Sequence, residues 1–151
     1  MIRKAKPEDY KKIANLRKKT FEKINSKGHT KTQVETMNRE NPPKLILEKM
    51  KKRDMFCLID KEKILGVIDL EDNKIGGFFI RYNHIKKGLG KKLLDFIENY
   101  AKKKGLKKLK LYSTKYAVSF YSKNGYKLIK KGKWRPGSVS FTTYKMEKKI
   151  K

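Results

Sequence analysis

Apolar residues recur along this chain in two rhythms, and each change of rhythm marks the border of an element. Ile2 and Arg3 read as a short strand, after which Pro7-Glu8-Asp9 opens a helix, with proline in the first turn and carboxylates at the positive end of the dipole. Tyr10, Ile13, Ala14 and Phe21 then share one helical face. Between Ser26 and Arg53 the pattern is polar and broken at Gly28 and Asn41-Pro42-Pro43, which predicts two helical stretches, the second over Leu45 to Met50. The rhythm shortens at Met55 to Ile59, Ile64 to Leu70 and Ile75 to Ile80, three apolar runs parted by polar turns and simplest as an antiparallel meander. Leu93, Leu94, Ile97, Tyr100 and Ala101 return to helical spacing and end at Gly105. Leu106 to Tyr112 alternates as a strand, and Tyr116 to Lys123 is a short helix closed by Asn124-Gly125. Strands Tyr126 to Lys130 and Val139 to Met146 follow, separated by Gly132 and Pro136-Gly137. The sum is an α+β fold: a mixed, mostly antiparallel sheet of about six to seven strands flanked by about four helices.

A chain of 151 residues suits a single domain spanning 1–151, with a core large enough to fold without disulfide or metal. Lysine and arginine number 42 against 15 aspartate and glutamate, a net charge of +27 that attracts polyanions without choosing among them. The lysines are spread through every segment instead of gathered in one arm, so a plain solvated surface accounts for them as well. Cys57 has no second cysteine to pair with and lies in an apolar run, as a buried inert thiol does. No apolar stretch approaches the roughly 20 residues that cross a bilayer, and Met1 to Tyr10 lacks a signal-peptide apolar region. The expectation is a cytoplasmic protein with no membrane partner. Two histidines and one cysteine offer no metal-ligand set.

The sharpest local feature is the junction from Ile80 to Gly90, where a strand ends and Gly88-Leu89-Gly90 leads into a helix. Free amides at a helix start favour anions, glycine lets a ligand approach the backbone, and Lys86, Lys87 and Lys91 add charge. A P-loop would need glycine at 85 and Ser or Thr at 92, and a dinucleotide fingerprint would need glycine at 93; Ile85, Lys92 and Leu93 stand there. The turn instead resembles the acetyl-CoA signature of the GNAT superfamily of N-acetyltransferases, a basic or Gln residue followed by x-x-Gly-x-Gly/Ala, with Ile85 departing at the first position. Ala117-Val118-Ser119-Phe120-Tyr121-Ser122-Lys123-Asn124-Gly125-Tyr126 resembles a second motif of that superfamily. Ile2-Arg3-Lys4-Ala5 with Asp9, and Tyr144 to Lys148, extend the likeness over nearly the whole chain.

The resemblance implies a GNAT-like sheet and acetyl-CoA as acyl donor for a primary amine. It places the pantetheine arm along Phe78, Phe79 and Ile80, the pyrophosphate at Ile85, Lys86, Lys87, Gly88, Leu89, Gly90 and Lys91, and Tyr121 beside the departing thiolate. A phenol near pKa 10 is less acidic than a thiol near 8.5, so full proton transfer is uphill by about 2 kcal/mol and hydrogen bonding is the safer role. Many relatives place a glutamate on the strand before the turn; Lys74 to Ile80 holds no carboxylate, leaving Asp69 and Glu71 as candidate bases, directly or through water, beside a route with no single base. His84 reads as an exposed loop residue. The acceptor side is expected between the Ser26 to Met50 segment and the Gly132 to Ser140 link, where Trp134 and Tyr144 would form an aromatic wall or simply pack. The acceptor, small molecule or protein, and the state, monomer or homodimer, stay open. A rival reading is a non-enzymatic RNA-binding module on the basic surface. Gly76 to Tyr82 follows the RNP1 pattern only in part, failing at Ile75, Gly77 and Phe78, and the rival leaves the glycine turn and Tyr121 unexplained. Nucleic-acid affinity is therefore not predicted, though it would sit beside catalysis without conflict.

Overall fold

The computed structural model describes residues 1–25 and 28–150. Seven strands form one sheet in the order β1-β2-β3-β4-β5-β7-β6. They are β1 (Ile2–Lys4), β2 (Asp54–Asp60), β3 (Lys63–Glu71), β4 (Lys74–Ile80), β5 (Lys108–Ser113), β6 (Lys127–Trp134) and β7 (Phe141–Lys149). Five α-helices accompany them: α1 (Tyr10–Thr20), α2 (Lys31–Glu40), α3 (Leu45–Lys52), α4 (Leu89–Lys103) and α5 (Val118–Lys123). The expected meander is present as β2-β3-β4, with tight turns at Lys61-Glu62, both at positive φ as a type I′ hairpin needs, and at Asp72-Asn73. The broken segment after α1 forms the two helical stretches expected of it, α2 and α3, which brings the α-helices to five where about four were expected. Thr30 caps α2 by accepting from the Gln33 amide at 3.1 Å while Gln33 returns a bond to Thr30 N–H. β6 runs past Gly132, which pairs with Thr143, to Trp134, so the link between the last strands is shorter than Gly132 to Ser140.

Each face of the sheet has its own apolar layer. Leu93, Leu94, Ile97 and Ala101 of α4 are fully buried against Ile68, Leu109, Leu111 and Met146. On the opposite face Ile13 and Leu16 of α1 and Ile46 of α3 meet Met55, Cys57 and Val67. Strand β3 feeds both layers and is buried from Ile64 to Leu70, which is why its sequence is apolar throughout but for Asp69 instead of alternating. Each such side chain contributes about 1.5–3 kcal/mol by leaving water. Cys57 is fully buried, and burial pushes its thiol up to about 12. It is expected to resist iodoacetamide in the native protein at pH 8 and to react fully in denaturant, as mass spectrometry would read. Among the described residues no helix is long and apolar enough to cross a membrane.

Strands β4 and β5 are the parallel neighbours, connected through α4, and their ladder consists of the single pair Lys74↔Lys110. Beyond that pair the backbone edge of β4 is not laddered to β5, and the gap is the entrance to the site.

Candidate active site

A cavity of about 1180 Å³ passes through this gap and reaches both faces of the sheet. One end is built by Ile80, Gly88, Gly90, Phe120 and Tyr121, the other by Arg17, Phe21, Met37, Ile46 and Lys49. Phe78 and Ile80 turn toward the α4 layer while Phe79 turns toward the α1 layer, so consecutive residues of β4 serve the two ends.

The glycine turn is held from behind. Arg81 donates through Nε and Nη2 to the Ile64 carbonyl at 2.9 and 2.7 Å, and its amide donates to Leu65 O at 2.7 Å. Thr20 Oγ1 donates to Ile80 O at 3.0 Å, which fixes the end of β4 to the end of α1. Gly88 then takes φ +78 as the residue before α4, a conformation that suits glycine. The first intrahelical bond there runs from Lys92 N to Gly88 O, leaving the Leu89, Gly90 and Lys91 amides without a helical acceptor. A Cβ on Gly90 would lie 3.2 Å from Phe120 Cζ, so the missing side chain is what lets α4 start against α5.

The structure gathers Phe78, Phe79, Ile80, Ile85, Lys86, Gly88, Gly90, Lys91 and Tyr121 around the cavity. Lys87 stays exposed outside it, and Leu89 turns into the core. His84 is half-exposed at the mouth, with Nδ1 2.8 Å from Asn83 Oδ1. Lys91 pairs with Asp95 at 2.7 Å. Tyr121 is 9% exposed, its ring packed edge-on to Phe120 at 5.3 Å and Tyr126 at 5.8 Å and tilted against Phe78 at 6.2 Å. Burial pushes its phenol well above the ordinary tyrosine value.

Neither Asp69 nor Glu71 lines the cavity. Glu71 pairs with Arg53 Nε at 3.2 Å. Asp69 is 1% exposed beneath Gly76 and Gly77, whose missing side chains make its niche: a Cβ on Gly76 would be 3.0 Å from Oδ1 and one on Gly77 would overlap Oδ2. Arg53 Nη1 stands 3.6 Å from Oδ2, an ion pair too long for a hydrogen bond, and both carboxylate oxygens are otherwise unpartnered among the described residues. Desolvation pushes this carboxyl up, against the pull of Arg53, Arg17 and Lys49.

Arg17 and Lys49 carry no distinguishing mark in a sequence whose lysines and arginines number 42 and are spread through every segment. Arg17 is half-buried with its guanidinium 5.0 Å over the Phe79 ring, and burial pulls its pKa down. Lys49 is half-buried too; desolvation, then repulsion from Arg17 and Arg53, lowers it to about 8. On the acceptor wall, Trp134 lines the cavity and tilts against Phe141 at 5.5 Å, whereas Tyr144 lies outside it with Lys131 Nζ 5.9 Å over its ring. Gln33 Nε2 donates to Ser140 O at 2.7 Å, tying α2 to the link between the last strands. Ser26 and Lys27, the start of the segment expected to cover this side, lie outside the described residues.

A family model described as an acetyltransferase (GNAT) domain matches residues 22–148. The chain belongs to the GNAT acetyltransferase family. Its fold matches a GCN5-related N-acetyltransferase from Rhodopseudomonas palustris with a TM-score of 0.93 at 16% identity, covering 99% of this chain and 95% of that one. The PaiA N-acetyltransferase of Thermoplasma acidophilum, solved in complex with coenzyme A, matches with a TM-score of 0.82 at 24% identity over 99% and 98% of the two chains. The aminoglycoside 6'-N-acetyltransferase of Enterococcus faecium matches at 0.75 and 13% identity, over 100% and 97%. A comparison with curated protein sequences finds no match.

Proposed function

We propose that this protein is an acetyl-CoA-dependent N-acetyltransferase that acetylates a primary amine by direct attack. The observation that carries the reading is the cavity through the β4–β5 gap, which joins the amide-lined start of α4 to a separate cationic chamber. Acetyl-CoA supplies the thioester: the acceptor nitrogen bonds to the acetyl carbon as the C–S bond breaks, and the second proton that the nitrogen then sheds passes through water to the CoA thiolate, giving an amide and the CoA thiol. The α4 start, with Gly88 and Gly90 and the charges of Lys86 and Lys91, holds the pyrophosphate. The free edge of β4 at Phe78 to Ile80 takes the pantetheine amides, while Tyr121 donates a hydrogen bond to the departing sulfur. Ile85 contributes apolar contact there in place of a polar side chain.

The ammonium proton must leave before attack. Among the described residues no carboxylate lines the cavity, and the proton leaves through water, with Asp69 behind Gly76-Gly77 the nearest buried carboxylate. Arg17 and Lys49 assist, because nearby cations disfavour the charged form of an amine and raise the neutral fraction that can attack.

Acetyl-CoA titrated into the protein in a calorimeter at physiological salt is expected to bind one to one. Gly88→Trp, whose side chain has no protein atom within 4 Å of its Cβ and so projects into the phosphate space, should weaken binding by about 100-fold while circular dichroism stays unchanged. Absence of acetyl-CoA binding by the folded parent protein would overturn the reading.

A further inference from the structure

The acceptor chamber is unusual for an enzyme that must admit an amine. Lys11, Arg17, Lys18 and Lys49 face it, and among the described residues neither Asp nor Glu does. Lys11 and Lys18 are exposed at the rim, where water screens them. Arg17 and Lys49 are different, since both are half-buried and neither has a hydrogen-bond or ion-pair partner among the described residues. Asp69, the carboxylate whose charge both feel, is engaged by Arg53 and shut behind β4, so it attracts them without supplying a contact. Two partly desolvated cations without a hydrogen bond or ion pair, Arg17 having only its contact with the Phe79 ring, destabilise the empty protein. An anion seated between them would relieve that cost. Phe21, Met37, Leu45, Ile46 and Trp134 supply its apolar wall, and the uncharged amides of Asn15, Asn38 and Asn41 line it as well.

Resting on the N-acetyltransferase reading, we infer that the acceptor is a small amine that carries an anionic group, carboxylate or phosphate, and that Arg17 and Lys49 hold that group. The anion brings the amine into a chamber that would repel a free cation, and the same two residues then keep the amine neutral. A polyamine has the wrong charge throughout and is excluded.

Trp134 is the chain's single tryptophan and lines the chamber, so its fluorescence reads occupancy without turnover. The protein is first saturated with desulfo-CoA, which tests the donor site on its own. It is then titrated with a panel of free amino acids, with their amides, with O-phosphoethanolamine and with spermidine. At least one anionic amine is expected to bind about tenfold or more tightly than its neutral counterpart, and spermidine not at all. Preference for an amino acid over its amide assigns a carboxylate; preference for O-phosphoethanolamine over ethanolamine assigns a phosphate. Arg17→Met and Lys49→Met should each abolish about tenfold of that preference, leave desulfo-CoA affinity within about twofold, and keep or raise the thermal midpoint of the empty protein. A merely structural role for the two residues would lower that midpoint instead. Desulfo-CoA binding with no anionic amine favoured over its neutral counterpart, or a preference unmoved in both variants, would overturn the inference. Failure of desulfo-CoA itself to bind would count against the transferase reading.

Discussion

Gly77→Ala is expected to be among the most destabilising single-methyl additions in this protein, lowering the unfolding free energy by about 2–4 kcal/mol in a urea titration. Two costs add there. Gly77 sits at φ +46, where a side chain strains the backbone by about 1 kcal/mol or more. Its Cβ would also overlap Asp69 Oδ2, and Asp69 is 1% exposed on a strand buried to both sides, so the carboxylate has nowhere to retreat. Trimming the carboxylate separates the costs. In Gly77→Ala/Asp69→Ala the overlap is gone and only the backbone strain of about 1 kcal/mol should remain, while Asp69→Asn, nearly the same shape, should rescue little. Asp69→Ala alone is expected to be near neutral, because the carboxylate it removes is buried without a hydrogen bond, and Arg53 keeps Glu71 at 3.2 Å. That variant also reads the proton route: kcat held within about threefold of the parent fits escape through water, and a loss of about 100-fold would make Asp69 the base. A Gly77→Ala protein as stable as the parent would contradict the packing of β3 against β4 described above.

The sheet was legible because short apolar runs parted by polar turns are local signals, and the strands they mark need only neighbours to pair with. The glycine turn was legible for a related reason: the role proposed for it lies in backbone amides, whose position follows from where a helix starts. Two kinds of feature escaped. The extension of β6 to Trp134 has no apolar alternation to announce it, since all eight of its positions from Lys127 are lysine, glycine or exposed apolar residues, paired along the ladder to β7. The charges of the site escaped because their meaning depends on long-range packing. Asp69 reads as a candidate base acting directly or through water, and only the fold shows the Gly76-Gly77 pair closing over it; one lysine among dozens becomes Lys49 at about 8 only when α3 folds back toward Arg17 and Arg53. Tyr144, expected either to form an aromatic wall or simply to pack, lies outside the cavity; residues alternate across a strand, and Phe141, three positions earlier on β7, is the buried one.

Tyr121→Phe is expected to lower kcat by about 100-fold while leaving the KM for acetyl-CoA within about threefold and the thermal midpoint nearly unchanged. The ring stays in its packing between Phe78, Phe120 and Tyr126, so what the variant removes is one hydroxyl at the cavity wall. Burial raises the phenol's pKa, which makes it a poorer proton donor and a persistent hydrogen-bond donor; the energy it supplies must come from charge developing on sulfur, in a pocket where water competes little. The form of the pH profile follows. Rate should climb with pH as the acceptor amine loses its proton, and no fall attributable to Tyr121 should appear below about pH 10, because the phenol remains protonated throughout. Replacing the amine substrate's donor by an acyl thioester of a more acidic thiol should shrink the penalty of the phenylalanine variant, since a stable thiolate needs the hydroxyl less. If Tyr121→Phe matches the parent with both donors, the tyrosine is a packing residue and the departing thiolate is stabilised elsewhere in the cavity.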